Sequence, residues 1–150
     1  SPSAERHAQG LAYATSSGAA TAQVIEVRDG PAGIEVKRAF VAVDVGVALD
    51  PRNIHAQLES ALIFGLTAAI MGEITVSGGG VTQSNFHDYP VLRMNEIPLI
   101  ETRYIESDED IYGVGEASTP TAAPALGNAI FAATGKRIRE LPFNRSMRFA

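Results

Sequence analysis

Ile34 and Val36 alternate with Glu35 and Lys37, the two-residue period of a strand with one wet face. From Ala39 the run AFVAV has no polar member, as in a strand covered on both sides, so residues 34–45 are predicted as one strand. Residues 21–27 (TAQVIEV) are also rich in β-branched side chains. The cluster RDGPAG lies between the two segments and turns a chain readily, so the pattern predicts an antiparallel hairpin.

The period changes after Asp50-Pro51. Ile54, Leu58, Ala61, Leu62, Gly65 and Ala69 recur at helical spacing, with Asp50 as N-cap and Pro51 at the first helical position, where its missing N–H costs nothing. Asn53, Gln57 and Ser60 share a polar face in the first half. The second half, LIFGLTAAIM, is apolar all round, which predicts burial of the far end, and Gly72 is a natural stop. Residues 73–76 and 81–84 flank SGGG as a second hairpin. Residues 97–106 form another strand, with Ile100, Thr102 and Tyr104 on one side. A small-residue helix is predicted over residues 121–134, ended by Gly135, with Lys136 and Arg137 near its negative end. The order of strands, helix, strands, helix predicts an α+β fold of two layers, a mostly antiparallel sheet packed by two main helices. Residues 1–143 read as one module and 144–150 as a tail.

Composition narrows the function classes. Apolar residues make up 45% of the 150, enough to bury a core. A net charge of −5 excludes the broad basic face of a nucleic-acid binder. With no cysteine, the chain holds no disulfide, no iron–sulfur cluster, no Cys-type zinc site and no thiol nucleophile. The longest apolar run, residues 61–71, is too short for a transmembrane helix, which needs about twenty residues. The start SPSAERHAQG lacks the apolar centre of a signal peptide and does not open with Met, so it reads as a processed or excised beginning.

Among residues that carry chemistry, Glu116 stands out. It follows Gly113-Val114-Gly115 and precedes the small-residue helix. Glycines let a backbone approach a bulky ligand, and a partly desolvated carboxylate there suits a general base. The plainer reading is a tight turn whose Glu favours the helix dipole. Gln57 offers both donor and acceptor to a ligand, or simply faces solvent. Asp44, ahead of Gly46, reads as the cap of a turn. His7, His55 and His87 lack a metal-binding partner at helical spacing, and the sequence marks no protein-ligated metal. Gly78-Gly79-Gly80 lacks the Lys-Ser/Thr of a phosphate loop, and no Gly-x-Ser-x-Gly is present.

The ordered set Asp44-Val45-Gly46, Asp50-Pro51 and Gln57-Leu58-Glu59 resembles the molybdenum hydroxylases, the xanthine oxidase and aldehyde oxidase superfamily. GVGEASTPTAAPALGNAIFAATGKRIRELP is similar to the C-terminal end of their molybdopterin-binding subunit. Together with QSNFHDYPVLRMNEIP it points to the branch of isoquinoline oxidoreductase large (beta) subunits. The resemblance runs from about residue 4 to 143. It departs from the usual pattern at Ser60-Ala61, where glycine usually follows Gln-x-Glu, and at Ala117, where many relatives carry proline.

The resemblance implies a reaction and a set of partners. Molybdenum is held by the dithiolene of a pterin cofactor, in the cytosine dinucleotide form, rather than by side chains. Glu116 is then the base toward the molybdenum-bound hydroxide, whose oxygen is delivered to an N-heteroaromatic compound or an aldehyde. Gln57 helps to hold the pterin, and Gly115 lets backbone approach the metal centre. Implied partners are upstream modules of the same large subunit, a small iron–sulfur subunit and a small-molecule substrate. The isolated chain is expected to lack the cofactor and turnover, and the compartment stays open between cytoplasm and periplasm. The apolar half of the first helix and the helix over 121–134 are expected to pack on neighbouring modules. The alternative is a non-catalytic assembly or subunit-contact module that retains the fold.

Overall fold

A computed structural model describes residues 6–150. The first half of the N-terminal segment read as a processed start, residues 1–5, lies outside the described residues. In chain order the elements are β1 (Arg6–Ser16), β2 (Ala19–Gly30), β3 (Gly33–Gly46), α1 (Pro51–Ile70), β4 (Val76–Ser77), β5 (Gly80–Val81), β6 (Leu99–Glu106) and α2 (Thr119–Thr134). A short 3₁₀ turn at Phe143–Arg145 follows. The main sheet has the order β1-β2-β3-β6. β1, β2 and β3 form an antiparallel meander, and β6 joins β3 in parallel. Both helices lie on one face: α2 rests on β1 and β2, and α1 packs beside α2 and against β6. The fold is thus α+β in two layers, with the mostly antiparallel sheet and two main helices that the sequence predicts.

The local reasons match the sequence signals. Asp50 caps α1 by accepting from the Asn53 N–H at 3.2 Å, and Gly135 ends α2 in the left-handed region at φ 74°. The core forms where Ile25 and Val27 of β2 and Val41, Val43 and Val45 of β3 meet Leu58, Leu62 and Leu66 of α1 and Leu126 and Ile130 of α2. Asp44 caps a turn, as read. Its carboxylate accepts from the Gly46 N–H at 3.0 Å and from the Ser107 hydroxyl at 2.8 Å.

Those two bonds, the Gly46 N–H first, hold the Asp44 carboxyl below its ordinary value of 3.8. A carboxyl with a lowered folded-state pKa stabilises the fold above its unfolded value, and that contribution is lost as pH falls through the folded value. Asp44→Asn is therefore expected to lower the melting temperature at pH 7, with the gap to the native chain closing once the pH is taken well below the ordinary value of 3.8. Thermal melts at the two pH values check this. Glu35 adds to the same acid sensitivity, held low by its hydrogen bonds to Lys37 and then Arg28.

Four features differ from the sequence-based expectation. β1 was not foreseen. It is a full edge strand whose inward row is Ala8, Gly10, Ala12 and Ala14. Phe40 and Ala42 are half-buried rather than covered on both sides, because both helices of the described residues lie on the opposite face of the sheet. The small residues of α2 pack inside this chain, with Ala122, Ala125, Ala129 and Ala133 buried, while Phe131 on its other side stays exposed. Other exposed apolar residues include Leu11 and Tyr13 on the outer face of β1 and Phe64 in the apolar half of α1. Finally, the end of the chain is docked on β3. The Ile34 N–H donates to the Arg148 carbonyl at 2.8 Å, the Ala150 N–H donates to Ile34 at 2.9 Å, and Phe143 is buried.

Candidate functional site

The loop after β6 carries the Gly-x-Gly-Glu sequence across the end of β3. The Tyr112 N–H donates to the Val45 carbonyl at 3.3 Å, which ties the loop to the sheet. The Tyr112 ring lies against Gly18 in the β1–β2 turn. Burial, then the nearby carboxylates of Glu109 and Asp110, push its phenol above the ordinary value, so the ring stays neutral. The next residues turn tightly into α2, with the Ala117 N–H donating to Val114 at 3.4 Å and the Thr119 N–H to Glu116 at 3.0 Å.

The loop meets α1 at Gln57. A Cβ built on Gly115 would stand 3.4 Å from the Gln57 Oε1 atom, so Gly115 and Gln57 are neighbours despite their distance in sequence. A longer side chain at 115 would fill the space in front of the amide. Gln57 is half-buried, and its amide makes no hydrogen bond among the described residues, which leaves donor and acceptor both free for a ligand. Glu116 follows immediately and is exposed. The partial desolvation expected for it is not supplied by this chain: its carboxylate stands on an open face. Gln57, Gly115 and Glu116 stand close together as one open wall of the surface rather than lining an enclosed pocket.

Other sequence candidates fall away from this wall. His55 points to β6, with Nδ1 2.5 Å from the Thr102 hydroxyl and its ring edge-on to Tyr104. His87 is exposed in the loop where Asp88 accepts from the Ser84 and Asn85 N–H groups. Among the described residues, no group of three His, Asp or Glu side chains is placed to hold a metal ion. A groove of about 620 Å³ lies at the opposite end of β3, between α1 and residues 144–150. Ser60 is exposed at the rim of a shallow groove beside Phe64 and Tyr89. Ala117 is buried.

Sequence reasoning missed the polar residues beneath the wall. Gln23, Ser118 and Thr121 are all fully or almost fully buried. The Ser118 hydroxyl donates to the Leu58 carbonyl at 2.7 Å, and the Thr121 hydroxyl lies 2.8 Å from Gln23 Oε1. The available signal was Gln23 itself, a polar residue between Thr21 and Ile25 in the inward row of β2.

This two-layer module shares its fold with one part of a much longer solved chain. The likeness is to quinoline 2-oxidoreductase from Pseudomonas putida 86, with a TM-score of 0.75 at 19% identity over 83% of this chain and 17% of that one. The chain belongs to the molybdopterin cofactor-binding domain family, whose model matches residues 2–98. It is 39% identical over 142 residues to isoquinoline 1-oxidoreductase subunit beta of Brevundimonas diminuta, covering 93% of this chain and 18% of that protein. It is 32% identical over 109 residues to a membrane-bound aldehyde dehydrogenase (pyrroloquinoline-quinone) of Gluconacetobacter polyoxogenes, covering 73% of this chain and 14% of that protein. The chain thus spans less than a fifth of the length of these relatives.

Proposed function

We propose that this chain is the C-terminal, base-bearing module of a molybdenum hydroxylase large subunit that acts on an N-heteroaromatic compound or an aldehyde. The observation that carries the reading is the juxtaposition of Gln57 with Gly115, directly ahead of Glu116. The residues fit a pterin cofactor. An amide without a partner can answer a heterocycle edge that alternates donors and acceptors, and a glycine leaves room in front of that amide. When bound, the cofactor, in its cytosine dinucleotide form, supplies the redox centre. Overall, a substrate C–H bond becomes C–OH with oxygen from water, and two electrons and two protons leave.

Within that reaction this chain orients and moves protons. The Gln57 amide holds the pterin edge. Gly115 keeps the backbone low enough for close approach. A Glu116 Oε atom accepts the proton released as the water-derived hydroxyl group is transferred, a role that requires only reach and a deprotonated carboxylate. The electrons leave through clusters held elsewhere, on a small iron–sulfur subunit, since this chain has no cysteine. Upstream modules of the large subunit close the open side of the wall and line the substrate.

Gln57→Leu tests the cofactor contact in the enzyme that carries this chain. Losing one or two neutral hydrogen bonds lowers affinity roughly tenfold, so the molybdenum-to-protein ratio is expected to fall under limiting cofactor. Because the amide has no partner among the described residues, the melting temperature of the cofactor-free protein stays within the scatter of a surface substitution. Unchanged cofactor retention removes Gln57 from the site. Glu116→Gln tests the base. Normal turnover there favours a non-catalytic assembly module.

A further inference from the structure

Ser118 stands at the start of α2, where a serine ordinarily caps the helix by accepting from an N–H two or three residues on. Here it does not. Its backbone is already helical, at φ −87° and ψ −4°, and its side chain makes no capping bond. The buried hydroxyl donates across to the Leu58 carbonyl of α1 at 2.7 Å. Next to it, the Thr119 hydroxyl donates to the Ala61 carbonyl at 3.1 Å. One acceptor therefore follows Gln57 directly in the chain, and the other lies a turn further along. Both carbonyls sit inside α1, where the helix ladder already supplies a donor, so the second bond is not needed to satisfy the helix. Its effect falls on the other partner, the turn that carries Glu116.

The remaining contacts of that turn point the same way. The Thr121 hydroxyl faces both Gln23 Oε1 at 2.8 Å and the Ser118 carbonyl at 3.2 Å, tying the first turn of α2 to β2. The helices cross closely just beyond, where a Cβ on Gly65 would come within 2.7 Å of the Ala122 Cβ. Glu116 itself has no side-chain bond among the described residues, so its place is set by what holds the residues after it.

We propose that Ser118 is a positioning residue: by bonding the Leu58 carbonyl, its hydroxyl fixes residues 113–117 on α1 and holds Glu116 in register with Gln57. The inference rests on the cofactor-facing role given above to those two residues. Alanine at 118 leaves the Leu58 carbonyl bonded within α1, so the loss is confined to the loop.

Hydrogen exchange by mass spectrometry on the enzyme as purified tests this, comparing the native protein with Ser118→Ala and Thr134→Val. Thr134 is the control. Its hydroxyl bonds the Ile130 carbonyl at 2.7 Å at the far end of the same helix. In Ser118→Ala, exchange in peptides covering 113–117 is expected to speed up roughly tenfold while β2 peptides stay as they were. kcat falls with KM and molybdenum content retained. Thr134→Val leaves the loop and kcat unchanged. Thr119→Val removes the second latch at nearly constant volume. It gives a smaller effect in the same place, and it serves if Ser118→Ala does not accumulate. Unchanged exchange in 113–117 overturns the proposal, as does acceleration spread over the whole domain. Wild-type turnover in Glu116→Gln removes the base reading without touching the exchange comparison, so the two failures are separable.

Discussion

Glu116→Gln, placed in the enzyme that carries this chain, is expected to lower kcat by about 10²–10⁴-fold at equal cofactor occupancy, the range for loss of a positioned general base. The substitution keeps the size of the side chain and one acceptor oxygen, and removes the negative charge and the capacity to take a proton. KM should change little, because substrate-binding surface is untouched. The fold should not notice either: the Glu116 carboxylate is exposed and bonds no other side chain among the described residues. Steady-state kinetics with molybdenum quantified in each preparation checks the expectation. Cofactor content distinguishes a chemical defect from failed assembly.

The second large effect is on the fold and falls at Gly10. This residue lies on the inward row of β1, where α2 comes closest to the sheet. A Cβ there would stand 2.1 Å from the Ala129 nitrogen and 2.2 Å from the Ala125 carbonyl oxygen. Both are helix backbone atoms, which cannot rotate aside, so the whole helix must lift. Gly10→Val is expected at the upper end of ordinary overpacking, about 3 kcal/mol. For a domain of this size that corresponds to a fall in melting temperature of roughly 6–12 °C. Gly113→Ala is the matched control, since a Cβ at Gly113 meets nothing within 4 Å. Its melting temperature should stay close to that of the native protein. Thermal unfolding followed by circular dichroism measures both. Because the helix that must lift begins just after Glu116, cofactor retention by Gly10→Val enzyme should fall as well.

The same close approach explains why one strand was illegible in the sequence. β1 presents Ala8, Gly10, Ala12 and Ala14 to α2, and its larger apolar residues, Leu11 and Tyr13, point outward. The two-residue period is there, but its hydrophobic weight lies on the wrong side, because the inner row is shaped by contact with a helix backbone. β2, β3 and α1 were legible for the opposite reason: their inward rows carry Ile25, Val27, Val41, Leu58 and Leu62, and Asp50-Pro51 marks the helix start by local chemistry alone. The parallel pairing of β6 with β3 was not readable, since periodicity identifies a strand but not its neighbour.

At the site, residue type and local glycine spacing singled out Glu116, Gly115 and Gln57. Motif resemblance gave them roles. What no local pattern contains is the meeting of Gly115 with Gln57, which arises from the packing of α2 against α1. The exposure of Glu116 was also hidden. A carboxylate after two glycines reads as a desolvated base only if something covers it, and among the described residues nothing does. Ser118 was missed because a serine before a helix ordinarily serves as its cap. Here its hydroxyl is spent on another helix instead.

The most direct measurement is a crystal structure of the cofactor-loaded enzyme that carries this chain, read for the position of one carboxylate. The account predicts a Glu116 oxygen within hydrogen-bond reach, about 2.6–3.2 Å, of an oxygen ligand of the molybdenum, with the Gln57 amide against the pterin. A Glu116 side chain facing bulk solvent in that loaded enzyme, with the cofactor seated elsewhere, would contradict it.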